Sequence, residues 1–211
     1  MRIIMLGPQG SGKGTQAERL AAATGGHHIS TGDLVRAEIR AGTPLGRSIK
    51  AYNDHGELVP DELIVALTTA ALASETNWIL DGFPRTLAQA QTLDEVLATA
   101  GVALDRVILL EAPDDLLVER LAGRRQSVST GRVYHILYDP PPPDDPGPFV
   151  QRSDDHPDVI RHRLDIYHAA TEPLKRYYER RGLLLTVDAS GPIDEVAATI
   201  LRALSDSGRP V

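Results

Sequence analysis

The sequence predicts an α/β fold, a doubly wound parallel sheet of five strands with helices on both faces. Three observations lead there. Short, continuously apolar runs recur along the chain, each followed by turn residues and a helical pattern. These runs do not alternate apolar with polar, which is how strands covered on both faces read. The first run, Ile3-Ile4-Met5-Leu6, leads straight into Gly7-Pro8-Gln9-Gly10-Ser11-Gly12-Lys13-Gly14-Thr15 and then into the amphipathic stretch Gln16-Ala17-Glu18-Arg19-Leu20-Ala21.

Strand, glycine-rich loop and helix in that order make the context of a phosphate-binding loop, and so a sheet of the P-loop NTPase type. The other strands follow in turn. His27-His28-Ile29-Ser30 is the weakest candidate, and Trp78-Ile79-Leu80, Val107-Ile108-Leu109-Leu110 and Leu183-Leu184-Leu185-Thr186-Val187 are stronger. Helix starts are marked by Asp114-Asp115 after Pro113 and by Pro192-Ile193-Asp194-Glu195. Right-handed crossovers then place ligands at the carboxyl ends of the strands.

Two stretches break the rhythm. Residues 30–60 hold two or three short helical segments, interrupted by Gly42-Thr43-Pro44 and His55-Gly56. Residues 123–155 contain Pro140 to Pro143 in a row, followed by Asp144-Asp145-Pro146-Gly147-Pro148. A proline run is often a linker. This one lies between Arg124-Arg125 and Arg152, with Tyr134, Tyr138 and Phe149 beside it, and reads as a small ordered insertion able to move. The core domain is therefore assigned to 1–29, 61–122 and 156–211, with insertions at 30–60 and 123–155. No internal repeat is evident.

Composition narrows the function. The 211 residues are 42% hydrophobic, enough for one α/β core with insertions. A formal charge of −7 argues against a general nucleic-acid or anionic-membrane binder, although arginines concentrate between Arg106 and Arg181. The chain has no cysteine, which excludes disulfides and thiolate metal sites. No apolar run approaches the roughly 20 residues that span a bilayer, and the first residues read as a strand, not a signal peptide. A cytoplasmic, monomeric protein with no nucleic-acid and no membrane partner is expected.

The phosphate loop supplies the first chemistry. Backbone N–H groups of the loop and of the first turn of the following helix converge on one spot, with the helix dipole behind them. Glycines let the backbone approach phosphate oxygens. Lys13 reaches toward the outer phosphates, and the Thr15 hydroxyl serves a phosphate or its Mg²⁺. Gly14 follows Lys13 directly, where the general pattern places Ser or Thr. The second signal is Ile79-Leu80-Asp81-Gly82-Phe83-Pro84-Arg85. Asp81 stands at a strand's carboxyl end, where a carboxylate can hold waters of a phosphate-bound Mg²⁺ without ligating it directly. Arg85 can fork onto a second phosphate. Arg120, Arg124, Arg152 and Arg163 lie in or beside the second insertion. Phosphoryl transfer between nucleotides needs no protein nucleophile; it needs neutralised charge, aligned reactants and excluded water, which an arginine-bearing insertion closing over the loop would supply. Taken singly, such arginines are solvated helix residues, and that reading stands for Arg19, Arg47, Arg176 and Arg180.

Over nearly its whole length the chain resembles adenylate kinase, in the long form with a large lid. The resemblance is carried by Gly7–Thr15, Ser30-Thr31-Gly32-Asp33-Leu34-Val35-Arg36, Gly56-Glu57-Leu58-Val59-Pro60-Asp61, Asp81–Arg85 with Gln89, Gly131-Arg132-Val133-Tyr134-His135, Asp139-Pro140-Pro141, Arg152-Ser153-Asp154-Asp155 and Val187-Asp188. It implies Mg²⁺-dependent transfer of the terminal phosphoryl group of ATP to AMP, giving two ADP and serving adenine nucleotide balance. It makes 30–60 the AMP-binding insertion and 123–155 the lid. It implies that Gly10, Ser11, Gly12, Lys13, Gly14 and Thr15 hold the ATP phosphates, with Arg120 and Arg124 on ATP and Val133 and Tyr134 near its adenine and ribose. Gly191 falls where a backbone carbonyl receives the adenine amino group. Thr31, Arg36, Glu57, Leu58, Val59, Gly82, Phe83, Pro84, Arg85 and Gln89 match the AMP site, and Arg152 and Arg163 bridge the two phosphate chains. Lys13, Arg85, Arg124, Arg152 and Arg163 are thus the catalytic set.

Some positions depart from the pattern. Pro8-Gln9 replaces a small residue followed by proline, and Ala189 replaces a glycine. Ser127 and Thr130 stand where many lids carry a Cys-x-x-Cys zinc pair, so no zinc is expected. Relatives acting on UMP or CMP tend to carry alanine at the Thr31 position and asparagine near Gln89, which favours AMP here. A nucleotide-dependent switch protein would need a guanine-reading Asn-Lys-x-Asp element, and the sequence has none. A relative that binds without catalysing would be expected to lack charged site positions, and all are present.

Overall fold

The computed structural model describes residues 1–55 and 59–206, the side chains of 53–55, 153, 157 and 206 excepted. The main sheet is built from β1 (Arg2–Leu6), β2 (His27–Ser30), β3 (Trp78–Asp81), β4 (Arg106–Glu111) and a last strand (Leu184–Asp188), all parallel, in the spatial order β2, β3, β1, β4, last strand. The four apolar runs and the weak candidate at 27–30 all form strands.

Why the runs are continuous is visible in the packing. Ile3, Met5, Ile79, Ile108 and Leu110 point to one face and join Ala17 and Leu20 of α1 (Lys13–Thr24) and Val196, Ile200 and Leu204 of the last helix (Ile193–Asp206). Ile4, Leu6, Leu80, Val107 and Leu109 point to the other, against a layer that includes Ile64, Leu93, Leu97, Leu174 and Tyr178. Each face has its own core, so the inner positions of the central strands are apolar on both sides.

The same division positions the site. From β1 the chain departs to α1 on the first face. From β3 it departs to α5 (Leu87–Thr99) on the second. A crevice therefore opens between the carboxyl ends of β1 and β3, as doubly wound sheets dictate. Between β2 and β3 the chain forms α2 (Thr31–Ala41), α3 (Pro44–His55) and α4 (Asp61–Leu72). Of the two or three helical segments expected within 30–60, α2 and α3 are the ones formed among the described residues. Ser30 caps α2 by accepting from Asp33 N–H.

Beyond α6 (Asp114–Ala122), the chain forms a second, smaller sheet. Strands β5 (Arg124–Ser127), β6 (Val133–His135) and β7 (Phe149–Val150) are antiparallel in the order β6, β5, β7. A 3-10 turn, Ser153–Asp155, then leads into the long helix α7 (Pro157–Arg180). Among the described residues no helix is long and apolar enough to cross a membrane.

Candidate functional site

The loop between β1 and α1 is pressed against its neighbours. Gly7 (φ +144°) and Gly10 (φ +84°) have backbone conformations that L side chains rarely adopt, and a Cβ would sit 2.6 Å from the Leu110 carbonyl oxygen at Gly7 and 2.9 Å from that of Leu117 at Gly10. At Gly14 a Cβ would make only ordinary contact, 3.6 Å from Asp81 Oδ2, so packing does not force the departure from Ser or Thr there. Helix α1 has no side-chain cap and no acidic residue in its first turn, among the described residues. Its first N–H groups and positive dipole end are thus left for an anion.

Lys13 folds back, its ammonium donating to the Pro8 carbonyl oxygen at 2.7 Å. Burial lowers its pKa to about 8; Asp81 opposes that, and Arg85, Arg163 and Arg124 add to it. Asp81 closes the loop's far side. Its Oδ1 is buried with no hydrogen-bond partner among the described residues, and its Oδ2 lies 3.8 Å from His28 Nε2. A carboxylate with an unclaimed oxygen beside the phosphate loop suits the water shell of Mg²⁺.

The turn after β3 presents Arg85. Its Nε donates to the Gly82 carbonyl oxygen at 2.7 Å, and burial, then Arg163, pushes its pKa down to about 10. Phe83 is buried below the turn, and the Phe83–Pro84 peptide is cis. The Thr31 hydroxyl donates to the Asp81 carbonyl oxygen at 3.1 Å, tying α2 to β3. Gln89, also buried, accepts from the Arg85 N–H at 2.7 Å and donates from Nε2 to Asp61 at 2.6 Å. Arg36 pairs with Asp33, 2.6 Å. Val59 packs against the core, while Glu57 and Leu58 lie outside the described residues.

The arginines are held by carboxylates. Arg124 forks onto Asp155, whose side chain has no exposed surface, with its Nε 2.8 Å from Oδ2. Arg163 pairs with Asp154. Arg152 donates to Gln126 at 3.1 Å, and burial, then Arg124 and Arg36, lowers its pKa to about 9. A cleft of about 630 Å³, open mouth included, is lined by Gly7, Gln9, Lys13, Gly82, Arg85 and Arg163 among others. Lys13, Arg85, Arg163, Arg124, Arg152 and Arg36 therefore form one chain of mutually repelling cations, held by four carboxylates: Asp33, Asp81, Asp154 and Asp155. Asp154 and Asp155 stood in the run from Arg152 to Asp155, but their part in holding Arg163 and Arg124 is a spatial fact that spacing did not give.

Arg120 sits apart from that array, donating to the carbonyl oxygens of Ala189 at 2.8 Å, Ser190 at 3.2 Å and Gly191 at 3.5 Å. The expected adenine-receiving carbonyl and the expected ATP arginine are thus neighbours. Of the lid pair, Val133 is exposed and Tyr134 buried. The Tyr134 hydroxyl faces inward and donates to Asp145 at 2.8 Å.

Asp145 is the hydrogen-bonding hub of the smaller sheet. It also accepts from Ser127 Oγ at 2.7 Å, Thr130 Oγ1 at 3.0 Å and the Gly147 N–H at 2.9 Å. Burial alone would raise its pKa, but those hydrogen bonds outweigh it and hold the value down at about 2. A depressed folded-state pKa contributes stability that is complete above the ordinary 3.8 and fades as pH falls through about 2. Peptic cleavage inside 123–155 should therefore accelerate as pH drops through that window. Asp145→Asn should cleave fast throughout it, and an identical pH profile for the variant and the parent would refute the assignment. Among the described residues no cluster of three or more His, Cys, Asp or Glu could hold a metal ion.

Residues 5–183 match the family model described as adenylate kinase. The chain is similar to the adenylate kinases of Salinibacter ruber (49% identical over 207 residues, covering 97% of this chain and 98% of that one) and Streptomyces coelicolor (46% over 213, covering 97% and 98%). It is likewise similar to that of Carboxydothermus hydrogenoformans, 45% identical over 212 residues, covering 97% and 99%. With the sheet order, the phosphate loop and the arginine array in place, these matches lead to one conclusion: the chain belongs to the adenylate kinase family.

Proposed function

We propose that this chain transfers the terminal phosphoryl group of ATP to AMP, as a monomer, giving two ADP. The observation that carries the reading is the gathering of Lys13, Arg85 and Arg163 on one cleft beside the phosphate loop, with Arg124, Arg152 and Arg36 near enough that like charge lowers the pKa of Lys13, Arg85 and Arg152. So much like charge in a half-buried site is costly unless a polyanion fills it, and two nucleotide phosphate chains end to end fit that need.

In this reading an AMP phosphate oxygen attacks the terminal phosphorus of ATP, the bond to the bridging oxygen breaks, and its electron pair leaves on the new ADP. No protein base is required, because the attacking oxygen is already anionic. Gly10 to Thr15 cradle the ATP phosphates, with Lys13 leaving Pro8 for them. Arg85 and Arg36 grip the AMP phosphate. Arg124, Arg152 and Arg163 neutralise the group in transit and exclude water as the lid closes, with Arg120, Val133, Tyr134 and the Gly191 carbonyl at the ATP base. Thr31, Val59 and Gln89 line the AMP base, and Glu57 and Leu58, outside the described residues, are assigned to it by the resemblance alone. Mg²⁺, with Asp81 holding its waters, would neutralise the ATP phosphates.

The acceptor is tested by titrating AMP, UMP, CMP and GMP against ATP in a coupled ADP assay. AMP should be the efficient acceptor; a preference for UMP or CMP would overturn the acceptor assignment. Zinc should play no part, since the lid hub is built from Ser127, Thr130, Tyr134 and Asp145 in a chain without cysteine. A strong zinc chelator, with Mg²⁺ in excess, is expected to leave activity and Tm unchanged. Stoichiometric zinc in the purified protein, lost together with activity, would contradict this.

A further inference from the structure

The side chains of the phosphate loop divide cleanly. Pro8 and Ser11 are buried, and Gly7 and Gly10 are packed against the Leu110 and Leu117 carbonyls. The loop residues left to line the cleft with side chains are Gln9 and Lys13, and they share it with Arg85 and Arg163. Gln9 is therefore the uncharged side chain that the loop places among the phosphate-directed cations.

Its Oε1 is inaccessible to solvent and has no hydrogen-bond partner among the described residues. A buried amide oxygen left unpaired costs stability and calls for an explanation. The fold supplies none. A primary amide carries an acceptor at one end and two donors at the other, and no bond to Oε1 fixes which end faces the cleft. With Lys13, Arg85 and Arg163 around it the cleft attracts anions, and an anion would turn the amide so that its N–H groups point inward.

Resting on the phosphoryl-transfer reading above, we propose that Gln9 is a further catalytic residue, its Nε2 donating a hydrogen bond to an oxygen of the phosphoryl group in transit between ATP and AMP. The bonds made and broken are those already described; Gln9 gives and takes no proton. Its value is direction. A neutral donor aimed at a fixed point stabilises charge where it develops, without adding a further cation to an array that already repels itself. Because the phosphoryl oxygens shift as transfer proceeds, such a contact counts in turnover more than in binding.

Gln9→Met keeps the length of the side chain and removes the donor; Gln9→Glu keeps the shape and puts a carboxylate against the phosphates. Both are compared with the parent for kcat and for KM of ATP and AMP. They are also compared for affinity in two states, ATP alone and the transition-state mimic formed by ADP, AMP and aluminium fluoride. The Met variant should lose roughly 10- to 100-fold in kcat, the scale of one hydrogen bond to a charged group, with both KM values within about twofold. Its affinity for the fluoride complex should fall in step with kcat, and its ATP affinity and Tm should stay at parent values. The Glu variant should lose more kcat than Met and weaken ATP as well. A Met variant with parental kcat, or one whose ATP affinity and Tm fall as far as its kcat, overturns the proposal. If the parent itself makes no ADP from ATP and AMP, it is the functional reading that fails, and the variants are not needed to see it.

Discussion

Lys13→Ala is expected to lower kcat/KM at least about a hundredfold, since a charge directed at phosphate in a closed site is worth roughly 3 kcal/mol or more. Lys13 opens α1 immediately after the loop glycines, and the only hydrogen bond of its side chain among the described residues is to the Pro8 carbonyl within its own loop. It therefore ties no element of the core to another. Removing it should leave circular dichroism nearly unchanged and should relieve part of the repulsion on Arg85 and Arg163, so Tm should hold or rise. A variant retaining half the parental activity would overturn the loop assignment.

Arg85→Ala and Arg124→Ala should separate the two substrates. Arg85 is fastened to the β3 turn through Gly82 and Gln89, on the side of α2 and its Arg36. Its loss should raise the KM for AMP by on the order of a hundredfold and that for ATP far less, as the loss of a bidentate phosphate contact requires. Arg124 opens the lid sheet and is fixed by Asp155, so its loss should act on ATP and on the turnover rate. Steady-state kinetics with each nucleotide varied in turn decides the matter. Equal effects on both substrates from either variant would mean that the half-sites are misassigned.

The parallel sheet was legible because burial on two faces leaves its mark residue by residue. Ile3 to Leu6 and Val107 to Leu110 are apolar at every position since every position meets a core. The short edge run His27–Ser30 was the weakest candidate, because only Ile29 in it is buried. The strands of the smaller sheet were not legible. They are two to four residues long, and β5 reads Arg-Arg-Gln-Ser, so no apolar period exists to find. The hydrogen-bonded hub at Asp145 was half visible. Ser127 and Thr130 stood out as replacements for metal ligands, but Asp145 was one acid among several in a proline-rich tail, and its role depends on a fold-back across 18 positions.

The cations of the site were legible for a chemical reason, because a phosphate loop restricts what nearby arginines can be doing. Their carboxylate partners were not. Asp61 holds Gln89 from 28 positions away, and Asp155 holds Arg124 from 31, distances at which sequence spacing carries no information. Gln9 was legible as a departure from pattern and nothing more until the residue was found lining the cleft with a buried, unpaired amide oxygen.

The central claim is that one phosphoryl group passes directly between two nucleotides held in this single cleft, with no stop on the protein. It is tested most directly by supplying ATP labelled in its terminal phosphate, first alone and then with AMP, and following the label. The account predicts that the protein stays unlabelled in both cases and that, with AMP, all transferred label appears in the outer phosphate of ADP. Label retained on the protein, or released as free phosphate at the rate of ADP formation, would contradict it.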